Sequence, residues 1–355
     1  MDFELLIDRI EKHHQKQLPF VMFSLAEKNT VTAFLQNNDS LYEVEYFSDN
    51  GFVIAPFDYK LKSFFIPEKN SVKLNAELPQ LNIQLSKVEI SPELEERYIY
   101  IDLIKSTIAT IKKKHASKIV MSRSKDFPLT KFGLGTLIKR LFSTYPTAFR
   151  YIWYHPKTGF WCGATPEILV EIENHLFKTM ALAGTQAYRG NKNLLWGEKE
   201  RDEQQQVTDS ITNSLQRVTS VLKVSNPRTH IAGSLAHLRT DITGTINNGK
   251  ATLGTIATVL HPTPAVCGTP QKYAREFILS NEDYDREFYT GFLGPISNNG
   301  TTATLMVNLR CMKIEDDIAR IYVGGGITLG SNPEAEWEET QNKMQTMLQV
   351  LQPML

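Results

Sequence analysis

The sequence has no excess of either charge: 39 Lys and Arg balance 39 Asp and Glu over 355 residues. No bulk field favours nucleic acid or a lipid surface, so neither is expected as a partner. Cysteine is scarce. Cys162, Cys267 and Cys311 are too few and too scattered for a disulfide framework or a zinc site. They read as buried free thiols in a reducing compartment. No window approaches the roughly 20 apolar residues of a membrane span. The first residues, MDFELLIDRIEKHHQ, lack the basic segment and apolar run of a signal peptide. A cytoplasmic protein is expected. Internal repeats, low-complexity tracts and Pro/Gly/Ser linkers are also missing, so no seam divides the chain. One catalytic domain over residues 1–355 is the expectation, and no segment calls for an obligate protein partner.

What is present fits an ordinary globular core: 41% of residues are hydrophobic and 22% charged. Phe3, Leu6 and Ile10 recur at helical spacing before Pro19 and predict an N-terminal helix. Short apolar runs broken by Asn, Asp and Pro predict short strands up to about Ser86. Ser91, Pro92 and Glu93 make a helix start, continued by Ile101, Ile104, Ile108 and Ile111. KIVMSR alternates as a strand. FRYIWYHPKTGFWCG predicts a hairpin turning at residues 156–159. ATLMVNLRCMKIEDDIARIYVGGG predicts a second, turning at residues 315–317. Between them, Val207, Ile211, Leu215, Val218 and Leu222 predict one helix, ended by Pro227. Trp337, Met344, Leu348 and Leu351 predict the last. Hairpins with intervening helices indicate an α+β, largely antiparallel fold.

Four features carry chemistry. Glu200 and Glu203 open one predicted helix, and Glu336 and Glu339 open another. Residues three apart share a helix face, so each start presents two carboxylates together. Hard divalent cations such as Mg²⁺ take oxygen ligands of this kind, although acids also simply complement a helix N-terminus. Lys118 shares a strand face with Val120 and Ser122. A lysine on a strand is ordinarily a solvated edge residue, whereas a buried one has a lowered pKa and can act as a base. Gly324, Gly325 and Gly326 follow a strand and precede a helix, where bare backbone makes either a tight turn or an anion contact. Arg310 lies in an alternating apolar stretch and needs a partner, which an anionic substrate would supply. The run from Gly244 to Gly249 and Lys250 imitates a phosphate loop, but Ala251 replaces the hydroxyl that would hold Mg²⁺.

In order and spacing, KIVMSR, GATPEILVE, ALAGT, KERDEQ, AHLRTDI, HPTPAVCGTP, FYTGFLG, VNLR, VGGGI and GSNPEAEWEETQNK resemble the chorismate-utilising enzymes. That family comprises isochorismate synthases, salicylate synthases and the large subunits of anthranilate and aminodeoxychorismate synthases. The resemblance runs from Lys118 to the C-terminus. Residues 1–100 carry none of its motifs and read as a variable part, with 101–355 as the motif-bearing part. The resemblance implies antiparallel β-sheets packed face to face with helices on the outside, chorismate as substrate and Mg²⁺ as cofactor. It implies Lys118 as the base activating water and Glu167 as the acid at the departing ring hydroxyl. It makes Glu200, Glu203, Glu336 and Glu339 the metal site. Tyr289, Arg310 and an amide of Gly325 or Gly326 would hold the enolpyruvyl carboxylate, with Thr185, His237 and Lys343 also in the site. Amine-adding relatives typically carry glutamine at the position of Lys118, and the aminodeoxychorismate type often carries lysine at that of Ala183. Both residues here point to water and to isochorismate, made for menaquinone or siderophore biosynthesis. A salicylate synthase, which also eliminates pyruvate, and a catalytically silent binding protein are the rival expectations. Gln204 departs from the family, which commonly has His there.

Overall fold

A computed structural model describes residues 1–44, 47–90, 93–188, 194–219, 221–232, 235–246 and 252–355, with the backbone alone at 185, 187, 199, 232 and 235. Among the described residues the helices are α1 Phe3–Gln15, α2 Leu94–Lys112, α3 Leu134–Thr144, α4 Glu198–Gln216, α5 Leu253–Leu260, α6 Gln271–Asn281 and α7 Pro333–Leu351. The first six strands are β1 Phe20–Ser24, β2 Thr30–Gln36, β3 Tyr42–Val44, β4 Gly51–Ala55, β5 Ser63–Pro67 and β6 Ser71–Glu77. Then come β7 Lys118–Pro128, β8 Phe149–His155, β9 Gly159–Thr165, β10 Ile168–Glu173, β11 Leu176–Ala187, β12 Leu222–Val224, β13 Arg228–Ala232 and β14 Leu235–Thr245. The last five are β15 Gly268–Thr269, β16 Phe292–Ser297, β17 Thr302–Val307, β18 Cys311–Glu315 and β19 Ile318–Ile327.

Two antiparallel sheets result. One runs β15-β7-β19-β18-β9-β8-β1-β2-β6, the other β12-β14-β11-β10-β17-β16-β4-β5-β3, with β13 also on β14. They pack face to face over a shared aromatic core. Val21, Phe23, Trp153, Trp161 and Tyr322 of the first meet Phe52, Ile54, Leu293 and Met306 of the second, and the Phe23 and Phe52 rings lie 5.1 Å apart. Helices α1, α3 and α7 cover the outer face of the first sheet. Helices α4 and α5 cover that of the second. This is the predicted α+β architecture. Residues 1–100 are built into both sheets: β1, β2 and β6 join the first, β3, β4 and β5 the second. The three cysteines are buried free thiols, as expected. No helix among the described residues is long and apolar enough to cross a membrane.

Helices α1 and α7 and the β8–β9 hairpin form where the periodicity places them. Two expectations are corrected. The helix predicted through Leu222 stops at Gln216, and Leu222 begins β12. Val218 and Leu222 pack against the same core as α4, so their apolar character continues where the helix does not. The segment around Arg310 is not one strand. β17 belongs to the second sheet and β18 to the first, and residues 308–310 cross between them, with Arg310 at φ 49°. The odd-numbered apolar series Leu305, Val307, Leu309 and Cys311 runs through the crossing, but Leu305 and Val307 pack in the core under α4 and α5 whereas Cys311 lies between the sheets. The turn between β18 and β19 falls where predicted, with Asp316 at φ 51°. Ser91, Pro92 and most of the phosphate-loop imitation, residues 247–251, lie outside the described residues.

Candidate active site

The predicted site residues come from strand ends, crossings between the sheets and the first turns of α4 and α7, with Lys343 further along α7 and Tyr289 in the segment between α6 and β16. Lys118 begins β7. It is not an edge residue, because the two-residue β15 pairs alongside, with Thr269 opposite Lys118. On the other side lies β19, whose glycines stand just before its last residue, Ile327. Successive strand residues point to opposite faces, so Gly325 and Gly326 bare both faces of the strand end. A β-carbon on Gly326 would lie 2.6 Å from Lys118 Cε and 3.3 Å from its Nζ. A β-carbon on Gly325 would lie 2.7 Å from Glu336 Oε2 and 3.9 Å from Glu339 Oε1. The glycines are therefore places that Lys118 and the α7 carboxylates fill.

The α7 pair is set by a strong helix start. Asn332 caps it, accepting from the Glu334 and Ala335 amides, and Pro333 opens the first turn. The α4 pair is brought in by a feature that sequence reasoning passed over. β11 bulges between Ala183 and Thr185, with Gly184 at φ +66°. A β-carbon on Gly184 would lie 3.1 Å from Glu200 Cβ, so the bare bulge seats the start of α4. The available signal was a glycine interrupting a strand pattern. Across the ladder His237 pairs with Thr185, whose side chain lies outside the described residues. Gln204 is buried and donates to Ala181 O and Thr240 Oγ1, both at 3.0 Å, tying α4 to β11 and β14.

Glu167 and Arg310 occupy two crossings between the sheets, and the crossings are joined. The Val307 amide donates to Glu167 O at 2.9 Å, the Ala164 amide to Arg310 O at 3.0 Å, and Thr165 Oγ1 to Val307 O at 2.6 Å. Arg310 Nη1 donates to Lys343 O at 3.4 Å. Lys343 Nζ in turn donates to Gly324 O at 2.7 Å and pairs with Glu339 at 2.5 Å. Tyr289 is buried, its ring stacked on Tyr322 at 5.4 Å.

Electrostatics bind these residues into one site. Burial pushes the Lys118 ammonium below its ordinary range, against the pull of Glu203, Glu167 and Glu336, while Lys343 pushes the same way as burial. Burial pushes Glu167 up to about 7, although Lys118 and Lys343 hold it down. Glu336 is raised by burial and by the charge of Glu339, opposed by the Ser331 hydroxyl, Lys343 and Lys118. His237 is lowered mainly by burial, with Lys118 and Glu339 acting in opposite senses. Arg310 is lowered by burial, opposed by Tyr289, Glu339 and Tyr145, and burial raises Tyr289. These charge interactions link Lys118, Glu167, Glu203, Glu336, Glu339, Lys343, His237, Arg310 and Tyr289, whereas Glu200 is placed by its packing against Gly184.

Among the described residues, no three His, Cys, Asp or Glu side chains already form a cluster able to hold a metal. The donor chemistry nonetheless fits magnesium. Both α7 carboxylates look onto the bare Gly325, and Glu203 and Glu336 both act on Lys118. Magnesium usually takes one or two carboxylates and completes its shell with water and substrate oxygens.

Residues 61–352 match the family described as chorismate binding enzyme, so the chain belongs to that family. It is 31% identical to the isochorismate synthase EntC of Escherichia coli over 268 residues, 72% of this chain and 68% of that protein. It is 35% identical to the isochorismate synthase DhbC of Bacillus subtilis over 198 residues, 53% and 50% of the two chains. The fold matches the crystal structure of DhbC from Bacillus anthracis with a TM-score of 0.78 at 26% identity, over 96% of this chain and 99% of the other.

Proposed function

We propose that this chain is an isochorismate synthase: it adds water to chorismate at one ring carbon and expels the hydroxyl from another. The observation that carries the reading is the pair Lys118 and Glu167. Burial pushes the lysine down toward its neutral form and the glutamate up to about 7, toward its protonated form. Titratable groups whose pKa values are moved in these senses mark a base and an acid. The family membership and the names of its relatives EntC and DhbC support the same reaction.

In this reading neutral Lys118 takes one proton from water as the water oxygen bonds to the ring. The ring double bonds shift, the carbon–oxygen bond to the old hydroxyl breaks, and Glu167 gives that oxygen its proton. One water enters and one leaves, so the product is an isomer. Glu200, Glu203, Glu336 and Glu339 would hold Mg²⁺, which would supply positive charge to damp that of the ring carboxylate. Arg310 and Tyr289 hold the enolpyruvyl carboxylate. The β18 ladder on β19 stops at Ile321, which leaves the following backbone open on that side and supports an amide of Gly325 or Gly326 as a further donor. His237, Thr185 and Lys343 line the site. The whole chain acts as one catalytic domain, in the cytoplasm.

Incubation with chorismate and Mg²⁺, followed by chromatography, tests the proposal. Isochorismate as the magnesium-dependent product is expected. Fluorescent salicylate would establish the pyruvate-eliminating alternative, and no turnover would leave a binding protein.

A further inference from the structure

We infer that Arg123 is a positioning residue for the metal site, setting the roll of α7 so that Glu336 and Glu339 face Gly325. The inference rests on the magnesium reading above. Arg123 lies on the face of β7 opposite Lys118, together with Ile119 and Met121. Those two residues pack with Tyr100 and Trp337. Arg123 is buried there, and its guanidinium carbon lies 4.1 Å from the centre of the Trp337 ring. Its Nε donates to Thr340 Oγ1 at 2.9 Å and its Nη2 to Gln341 Oε1 at 3.0 Å. Trp337, Thr340, Gln341 and Met344 stand at helical spacing on one stripe of α7. Each carboxylate-bearing residue immediately precedes a gripped one: Glu336 comes before Trp337 and Glu339 before Thr340.

A guanidinium lying over the indole and two directed donors oppose rotation about the helix axis more specifically than apolar packing does. Arginine supplies both, whereas lysine has neither the plane nor the fork. The guanidinium makes no ion pair with Glu336 or Glu339, and its Nη1 lies 3.8 Å from Glu96 instead. It therefore holds the metal helix without competing for the metal carboxylates. Through β7, the strand that bears Lys118 also sets the direction of the carboxylates.

The test compares the parent, Arg123→Lys, Thr340→Val and Glu339→Gln. Mg²⁺ affinity is read by calorimetric titration with MgCl₂ and by the Mg²⁺ concentration giving half-maximal product formation. Unfolding temperature is measured alongside. Groups that orient metal ligands contribute about 10- to 100-fold to affinity. Arg123→Lys is expected to weaken Mg²⁺ by at least about tenfold on that scale while remaining folded. Thr340→Val, which keeps the side-chain shape, is expected to move affinity in the same direction by less. A fall in unfolding temperature with Mg²⁺ affinity unchanged in both variants would assign Arg123 to packing and overturn the inference. A parent that shows neither Mg²⁺ binding nor Mg²⁺-dependent turnover overturns the metal reading as well. Loss of binding in Glu339→Gln but not in Arg123→Lys or Thr340→Val overturns this inference alone.

Discussion

Lys118 occupies the space that a side chain on Gly326 would take, its Cε only 2.6 Å from where that β-carbon would stand. Gly326 has no left-handed backbone angle to protect, so alanine there strains the lysine and not the strand. Because the displaced atom belongs to a flexible side chain, the fold is expected to survive. The base would be moved off its water. General base catalysis contributes about 10²- to 10⁴-fold, and Gly326→Ala is expected to cost kcat on that scale with little loss of stability. A variant with parental kcat would show that the position of Lys118 does not matter to the reaction.

Gly325→Ala is expected to act on the metal instead. Its β-carbon would crowd Glu336 Oε2 at 2.7 Å. The Mg²⁺ requirement should rise, and turnover at saturating Mg²⁺ should recover part of the loss. Glu339→Gln removes a ligand charge and is expected to raise the Mg²⁺ requirement and lower turnover in a folded protein. Titrating the rate with Mg²⁺ checks both. Curves that superpose on the parent's would remove the carboxylates from the metal site.

Arg310→Ala is expected to weaken chorismate capture more than turnover. A hydrogen bond to a charged group contributes about 1.5–3 kcal/mol, so KM should rise about 10- to 100-fold. Arg310→Lys should recover only part, because an ammonium cannot offer two parallel donors to a carboxylate. Steady-state kinetics decide the point. An unchanged KM with a fallen kcat would shift Arg310 from binding the substrate to assisting the reaction.

The parts legible in the sequence were those whose chemistry is local. Glu336 and Glu339 were read as opening a helix, and their spacing puts them on one face of α7, whose start Asn332 caps. Family likeness supplied the rest of the residue set, but the spatial reasons were hidden. Arg310 looked like a strand residue because the alternating apolar series Leu305, Val307, Leu309 and Cys311 continues past it, although Leu305 and Val307 pack in one core and Cys311 in another. Gly184 signalled an interruption of β11 but not that α4 would come to rest on it, since that contact joins segments distant in the chain. Arg123 read as one more letter of KIVMSR, and its grip on α7 joins positions 217 residues apart in the chain.

The sharpest expectation concerns pH. Lys118 works neutral, so its active fraction grows as pH rises. Glu167 works protonated, so its active fraction shrinks as pH rises through about 7. The product of the two is a bell-shaped rate profile in the parent. Gln at position 167 cannot titrate. The small residual rate of Glu167→Gln should follow Lys118 alone and climb with pH. Lys118→Ala should nearly abolish water addition while leaving chorismate and Mg²⁺ binding largely intact, and its residual rate should only fall with pH. That fall should lie above about 7, because the lysine charge that holds Glu167 down has gone. Measuring kcat/KM for the three proteins across pH 5–10, a span chosen to bracket about 7, separates the two roles. If both variants keep the parent's bell, neither residue moves the proton assigned to it. If only one variant keeps it, the other assignment stands by itself.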